Sequence, residues 1–224
     1  MVKINIAIDG PSAAGKSTTA KRIAKALNYV HLDTGAMYRS VAYKAKNIGV
    51  DWNSEEDLVK MLQDTVITLT PQGEVFLDGV DVSKAIRENE ISLGASSVSK
   101  HALVRKELVR RQQQMAEDKG FVMDGRDIGT VVLPNAEVKI FLTASAEKRA
   151  IRRYKENLEK GIESDLAVLI KEIELRDEQD RTRSASPLTQ AEDAILFDSS
   201  DLTEEEVNVK LLEIIESVIK RNEV

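Results

Sequence analysis

The chain has 224 residues, 42% hydrophobic and 31% charged, with four prolines, which excludes the disordered and fibrous classes and suits one domain with a sizeable core, with or without an insert. A formal net charge of −6 argues against a large nonspecific nucleic-acid surface, because that mode of binding releases counterions through an excess of Lys and Arg. The lack of cysteine excludes disulfides, thiolate zinc sites and cysteine nucleophiles, and the two histidines, His31 and His101, have no ligand spacing and are expected to be structural or surface residues.

The chain enters a strand at once, in "KINIAI", with no signal-peptide pattern and no later run able to span a bilayer, so a cytoplasmic protein is expected. "GKSTTAKRIAKALN" follows, with Ala20, Ile23, Ala24 and Leu27 at helical spacing. A second extended piece, "YVHL", precedes a helix from about Thr34 to Asn47, whose Met37, Val41 and Ala45 form one stripe. "GFVMD", "EVKIFL" and "AILFDSS" are further apolar runs, the last two followed by helical stretches. This alternation predicts a parallel sheet covered on both faces.

One stretch breaks the rhythm. In "DTVITLTPQGEVFLDGVDVS", Ile67 and Leu69 alternate, a Pro-Gln-Gly turn follows, and Val75 and Leu77 alternate again, which predicts an antiparallel hairpin. Helical patterns flank it, "SEEDLVKMLQ" before and "ALVRKELVRRQQQMAED" after. A small inserted subdomain is therefore expected at 58–99, within a core of 1–57 and 100–224.

Gly10-Pro11-Ser12-Ala13-Ala14-Gly15-Lys16-Ser17 matches G-x-x-x-x-G-K-[ST] at every fixed position, between a strand and a helix. The glycines let successive N–H groups turn toward phosphate oxygens, the helix end adds its positive pole, Lys16 places a cation at the β and γ phosphates, and Ser17 can ligate Mg²⁺. The bland alternative is a glycine-rich turn with an incidental lysine. A nucleoside triphosphate with Mg²⁺ is implied, held by residues 10–17 and Thr18.

Three arginine clusters follow. In "LDTGAMYRS", Thr34 stands at a helix start and Arg39 points away from the Met37 and Val41 stripe; alone it reads by default as a solvated arginine. "FVMDGRDIGT" ends an apolar run in Asp124, placed like a Walker-B carboxylate that binds Mg²⁺ directly or through water, and projects Arg126 and Asp127 from the same sheet edge; an ordinary polar turn is the alternative. In "ELRDEQDRTRSASP", Arg176, Asp180 and Arg183 are spaced i, i+4, i+7 on one face, a pattern also met in exposed salt-bridge ladders. So many guanidinium forks suit the clamping of two phosphate groups better than simple hydrolysis.

The P-loop with "DTGAMYR", "VRKELVRRQ", "DGRDIGTVV" and "RDEQDRTRSASPL", in that order and with the hairpin insert, closely resembles the bacterial cytidylate kinases, a branch of the nucleoside monophosphate kinases, over nearly the whole chain. The resemblance implies an α/β fold with a five-stranded parallel sheet flanked by helices, a small antiparallel β-containing insert that binds the acceptor, and a short lid at about 152–170. It implies transfer of the γ-phosphoryl group of ATP to CMP or dCMP by a monomer acting on free nucleotides, away from nucleic acid and membranes. By the same resemblance Lys16, Arg39, Arg126 and Arg183 hold transferred or acceptor phosphate, and Arg176 and Asp180 hold ribose. Ser96, Arg105 and Asp127 read cytosine, with Thr34 and Tyr38 lining that pocket. Gln179 stands where some members have another arginine. Without the resemblance, Arg105 reads as part of a solvated basic face with Lys106, Arg110 and Arg111. Arg149, Arg152 and Arg153 in "EKRAIRRYKE" either close over the phosphates or line a charged helix face.

Two rivals remain at this level. A nucleotide-dependent switch would hydrolyse its nucleotide, though no Asn-Lys-x-Asp element is present. A P-loop kinase of a hydroxylated metabolite would need a carboxylate base, for which Asp33 or Asp127 are available.

Overall fold

The computed structural model describes residues 2–222, which form two compact units, one of residues 2–29 and 119–222 and one of residues 30–118. The main sheet has five strands in the order β2 (Val30–Asp33), β6 (Phe121–Gly125), β1 (Ile6–Asp9), β7 (Val138–Thr143) and β8 (Ile195–Asp198).

In the first unit, β1 (Ile6–Asp9) sits between β6 (Phe121–Gly125) and β7 (Val138–Thr143), and β7 pairs with β8 (Ile195–Asp198), all in parallel. Every residue of β1 is buried, as expected of a strand with both faces covered. On one face, α1 (Lys16–Leu27) presents Ala20, Ile23 and Ala24, and α8 (Glu204–Asn222) presents Val207, Leu211, Ile215 and Ile219 at four-residue spacing. These pack with Ile4, Ile6, Ile8, Val122, Val138, Ile140 and Leu142 into one core, in which each fully buried aliphatic side chain contributes roughly 1.5–3 kcal/mol. The register sets Ile8 beside Asp124 and Asp9 beside Gly125, so the chain leaves β1 and β6 at the same sheet edge.

Two further helices of this unit, α6 (Ala146–Glu159) and α7 (Leu166–Thr182), flank the short connection that lies in the expected lid region. Ser145 caps α6 by accepting from the Lys148 amide, and Asp165 caps α7 by accepting from Val168. Ala150 of α6 packs with Leu169 and Ile173 of α7.

The second unit holds β2 (Val30–Asp33), α2 (Thr34–Ile48), α3 (Glu55–Gln63), α4 (Asn89–Val98) and α5 (Ala102–Met115). Its small antiparallel sheet has β4 (Val75–Leu77) between β3 (Ile67–Leu69) and β5 (Val80–Asp81). The hairpin expected at Ile67–Leu77 is present, with the two-residue β5 as an addition, and residues 58–99 fall within this unit. Trp52 locks the helices together. Its indole N–H donates to the Ala42 carbonyl at 2.9 Å, and its ring lies so close to α4 that a Cβ on Gly94 would sit 2.6 Å from it. His101 Nε2 lies 2.9 Å from the Trp52 carbonyl, a structural role. Arg111 donates to the carbonyls of Leu62 and Thr65, closing the C-terminal end of α3.

Candidate active site

The phosphate loop lies between β1 and α1. Gly10 has φ 150°, and a Cβ there would fall 2.0 Å from the Leu142 carbonyl oxygen, so only glycine lets the chain pass β7 at this point. Ala13 and Gly15 also take positive φ, 57° and 88°, which turn the loop before α1 begins at Lys16. Lys16 is 6% exposed and its ammonium donates to the Pro11 carbonyl at 2.7 Å. Burial, aided by the nearby Arg126 charge, lowers its pKa to about 7 against the opposing pull of Asp124, Asp180 and Asp9. A triphosphate would reverse that balance by supplying the missing negative charge.

Ser17 Oγ donates to Asp124 Oδ2 at 2.7 Å. A hydroxyl and a carboxylate at this spacing form the hard oxygen set that Mg²⁺ takes alongside water and substrate phosphates. Among the described residues no group of three or more His, Cys, Asp or Glu could hold an ion by itself.

Past β6, Arg126 Nε donates to Asp180 Oδ2 at 2.7 Å, and Arg183 approaches Asp180 and Asp127 at 3.9 Å each. Burial alone would raise the Asp180 pKa, but Arg126 first, then Arg183 and Arg176, hold its carboxyl below the usual range. Arg176 and Asp180 lie in α7 as expected. Arg183 does not share their helical face: it follows the last turn in an extended conformation, and its Nε donates to the Ser186 carbonyl. It still reaches Asp180 because the chain folds back there, with the Leu188 amide donating to the Asp180 carbonyl at 2.8 Å. Sequence spacing assigned the right neighbours for the wrong local reason.

Asp9 was not singled out from the sequence. It accepts from the successive amides of Ile128 at 2.8 Å and Gly129 at 2.7 Å, pinning the π-turn Ile128–Val132 that follows Asp127. Burial raises its pKa from 3.8 to about 6, more than the two amide bonds lower it. A carboxyl whose folded pKa is raised lends stability that is fully present below pH 3.8 and is lost as the pH climbs past 6. Asp9→Asn should therefore flatten this part of the curve: the stability of wild type relative to the variant should fall by up to about 3 kcal/mol between pH 4 and pH 7. Urea unfolding across that range measures it, and a pH-independent difference would refute it.

In the second unit, Asp33 caps α2 by accepting from the Ala36 amide at 3.0 Å and binds Arg39 Nη2 at 2.8 Å. Burial pushes this carboxyl up, yet Arg39 and His31 hold it below the ordinary range, which makes it a poor general base. Arg39 Nε is buried without a hydrogen-bond partner. Arg105 is 4% exposed, lies 5.3 Å over the Tyr38 ring and donates to the Ser99 carbonyl at 3.3 Å, so the solvated-face alternative does not hold. Thr34 opens α2, and Ser96 Oγ bonds the Ser92 carbonyl within α4. Arg149, like Arg105, is buried rather than on a charged face; it pairs with Asp177 at 2.6 Å. Arg152 donates to the Ser199 carbonyl at 2.6 Å. Among the described residues no helix is long and apolar enough to cross a membrane.

A phosphate loop opening a helix at the C-terminal edge of a parallel sheet, with a carboxylate on the neighbouring strand and guanidinium groups beyond it, defines a P-loop phosphotransferase. The family model described as "Cytidylate kinase" matches residues 6–217, and the chain belongs to the cytidylate kinase family. It is 54% identical over 217 residues to the "Cytidylate kinase" of Bacillus subtilis (strain 168), covering 96% of this chain and 97% of that one. It is likewise 54% identical over 216 residues to the "Cytidylate kinase" of Geobacillus thermodenitrificans (strain NG80-2), covering 95% and 96%. Among solved structures, an uncharacterized protein from Eubacterium ventriosum ATCC 27560 aligns with a TM-score of 0.53 at 11% identity, covering 96% of this chain and 99% of that one, a likeness of fold alone.

Proposed function

We propose that this chain transfers the γ-phosphoryl group of ATP to CMP or dCMP, giving ADP and the corresponding diphosphate. The observation that carries this reading is the convergence, within one unit, of Arg126, Asp127, Asp180 and Arg183 near Lys16 of the phosphate loop. Family membership supplies the acceptor.

Transfer is direct and in line. The acceptor phosphate has a second pKa of about 6, is largely ionised at neutral pH and needs no general base. Residues 10–18 hold the donor phosphates through those of their amides that turn to the Lys16 side, and Lys16, Arg126, Arg183 and Arg39 offset the charge that spreads over the transferring group. Ser17 and Asp124 would hold Mg²⁺, which when bound neutralises phosphate charge. Arg176 and Asp180 are assigned to the ribose. Asp127 accepts from the cytosine amino group, Arg105 donates to its ring nitrogen and carbonyl, and Ser96, Thr34 and Tyr38 complete that pocket; uracil reverses the first two of those groups. The lid at 152–170 closes to exclude water. A cytoplasmic monomer with core 1–57 and 100–224 and an acceptor-binding insert at 58–99 belongs to the same reading.

Purified protein with ATP, Mg²⁺ and a panel of nucleoside monophosphates tests it. ADP release that is the same with every acceptor as without any would reject a kinase. Asp127→Ala should lower the ratio of kcat/KM for CMP over UMP by about 10²-fold or more, since a base then leaves buried polar groups unmatched whichever pyrimidine enters. A ratio that stays at the wild-type value takes Asp127 out of base recognition.

A further inference from the structure

The peptide groups on either side of Ser12 are held by a buried ion pair that has no assigned part in the reaction. Arg149 Nη2 binds Asp177 Oδ2 at 2.6 Å, and both side chains are almost wholly buried. The remaining guanidinium donors go to main chain: Nε to the Ala144 carbonyl at 2.8 Å and Nη1 to the Ser12 carbonyl at 2.9 Å. The second carboxylate oxygen of Asp177 accepts, at a long 3.4 Å, from the Ser12 amide. One helix thus supplies a clamp for the Ser12 carbonyl and the next helix a clamp for its N–H.

The geometry has a directional consequence. A trans peptide sets its C=O and N–H on opposite sides, and no cis peptide occurs among the described residues. In the Pro11–Ser12 peptide the carbonyl faces the Lys16 ammonium and the N–H faces Asp177, so Lys16 and the ion pair lie on opposite sides of the loop. In the next peptide the Ser12 carbonyl faces Arg149, so the Ala13 N–H is turned to the Lys16 side. Ala13 at φ 57° is a strained position for a residue with a Cβ, and something must hold it there.

We infer that Arg149 and Asp177 are positioning residues for the donor nucleotide: by clamping the Ser12 peptide groups from the lid helices they aim the Ala13 amide into the phosphate cradle. Their contacts are with each other and with main chain, so the role is indirect. The inference rests on the phosphate-loop part of the proposed function and not on the choice of acceptor, so it is tested by binding of ADP alone.

The variant Arg149→Met/Asp177→Leu removes both clamps while keeping the volume apolar, an exchange that buried ion pairs often tolerate without loss of stability. It should melt cooperatively, at a temperature lowered by the main-chain groups left without partners, and bind Mg²⁺-ADP about tenfold more weakly by calorimetry, the worth of one misdirected amide bond to a charged phosphate. The KM for ATP should rise in step while that for CMP stays at its wild-type value. Arg149→Lys keeps the charge beside Asp177 but cannot reach all three acceptors at once, and should weaken ADP severalfold. A folded double variant with wild-type ADP affinity overturns the inference, as does a rise in the CMP KM that matches the rise for ATP. Should the double variant not fold, Arg149→Lys decides by the same criteria. Wild type that binds ADP but leaves CMP untouched would remove the proposed function and leave this inference standing; wild type that binds no ADP removes both.

Discussion

Lys16→Ala should lower kcat/KM for every acceptor by about 10³-fold or more, the loss expected when a preorganised charge at the reacting phosphate is removed. The loss should come without a loss of stability. Lys16 is an ammonium buried at 6% exposure, pushed down to about pKa 7 by burial and by Arg126, so the nucleotide-free fold carries it at a cost. Removing it relieves that cost, and the melting temperature should hold or rise while turnover disappears. Steady-state kinetics beside a thermal melt separate the two effects. If activity and melting temperature fell together, the lysine would be part of the scaffold and the charge argument would fail. Because Lys16 also anchors the Pro11 carbonyl, Lys16→Arg is no substitute: a planar fork carries the charge but cannot occupy the compact position of the ammonium.

Arg126→Met should cut kcat by about 10²- to 10³-fold and raise the KM for CMP, since it removes a guanidinium fork while keeping an apolar stem of similar length. Arg126 is held by Asp180 at 2.7 Å with its side chain 20% exposed, an arrangement that fixes its direction but leaves donors available. Two further shifts should accompany the loss of turnover. The Asp180 pKa should rise, because Arg126 is the strongest of the charges that lower it. The Lys16 pKa should also rise, because Arg126 is the charge that lowers it. Arg126→Lys should recover part of kcat through charge alone. Turnover within a few-fold of wild type in Arg126→Met would reduce this arginine to a structural partner of Asp180.

The phosphate loop, the two flanking elements and the antiparallel hairpin could be read from contiguous residues because their signals are local. A positive-φ turn needs glycine where it occurs, and alternation or helical spacing shows within a few residues. Other parts escaped for physical reasons. The strand Val80–Asp81 is too short to show a period. In α4 the stripe Ile91, Ala95, Val98 is interrupted by Gly94, Ser96 and Ser97, residues of weaker helical preference, and Gly94 is small because the Trp52 ring lies against it. That stripe was the available signal, and its spacing of four and three residues would have sufficed.

The polar partners of the site were the least visible. Asp9, Asp33 and Asp177 look like ordinary acidic residues at a strand end, a helix start and in a charged helix, yet each holds specific amide or guanidinium partners. Asp9 binds amides 119 and 120 residues away, and Asp177 faces Arg149 at 28 residues and the Ser12 amide at 165. Arg149 and Arg105 sit in runs of basic residues whose members are equivalent on paper, and burial alone separates them from their neighbours.

Local chemistry in the chain settled that there is a phosphate loop, where its helix begins, and that the strands alternate with helices around it, because those features depend on backbone dihedrals and short-range periodicity. Folding settled which arginines face inward, which carboxylates hold them and which peptide groups they turn. A buried polar group must find its partner wherever packing brings one, and no spacing along the chain records that requirement.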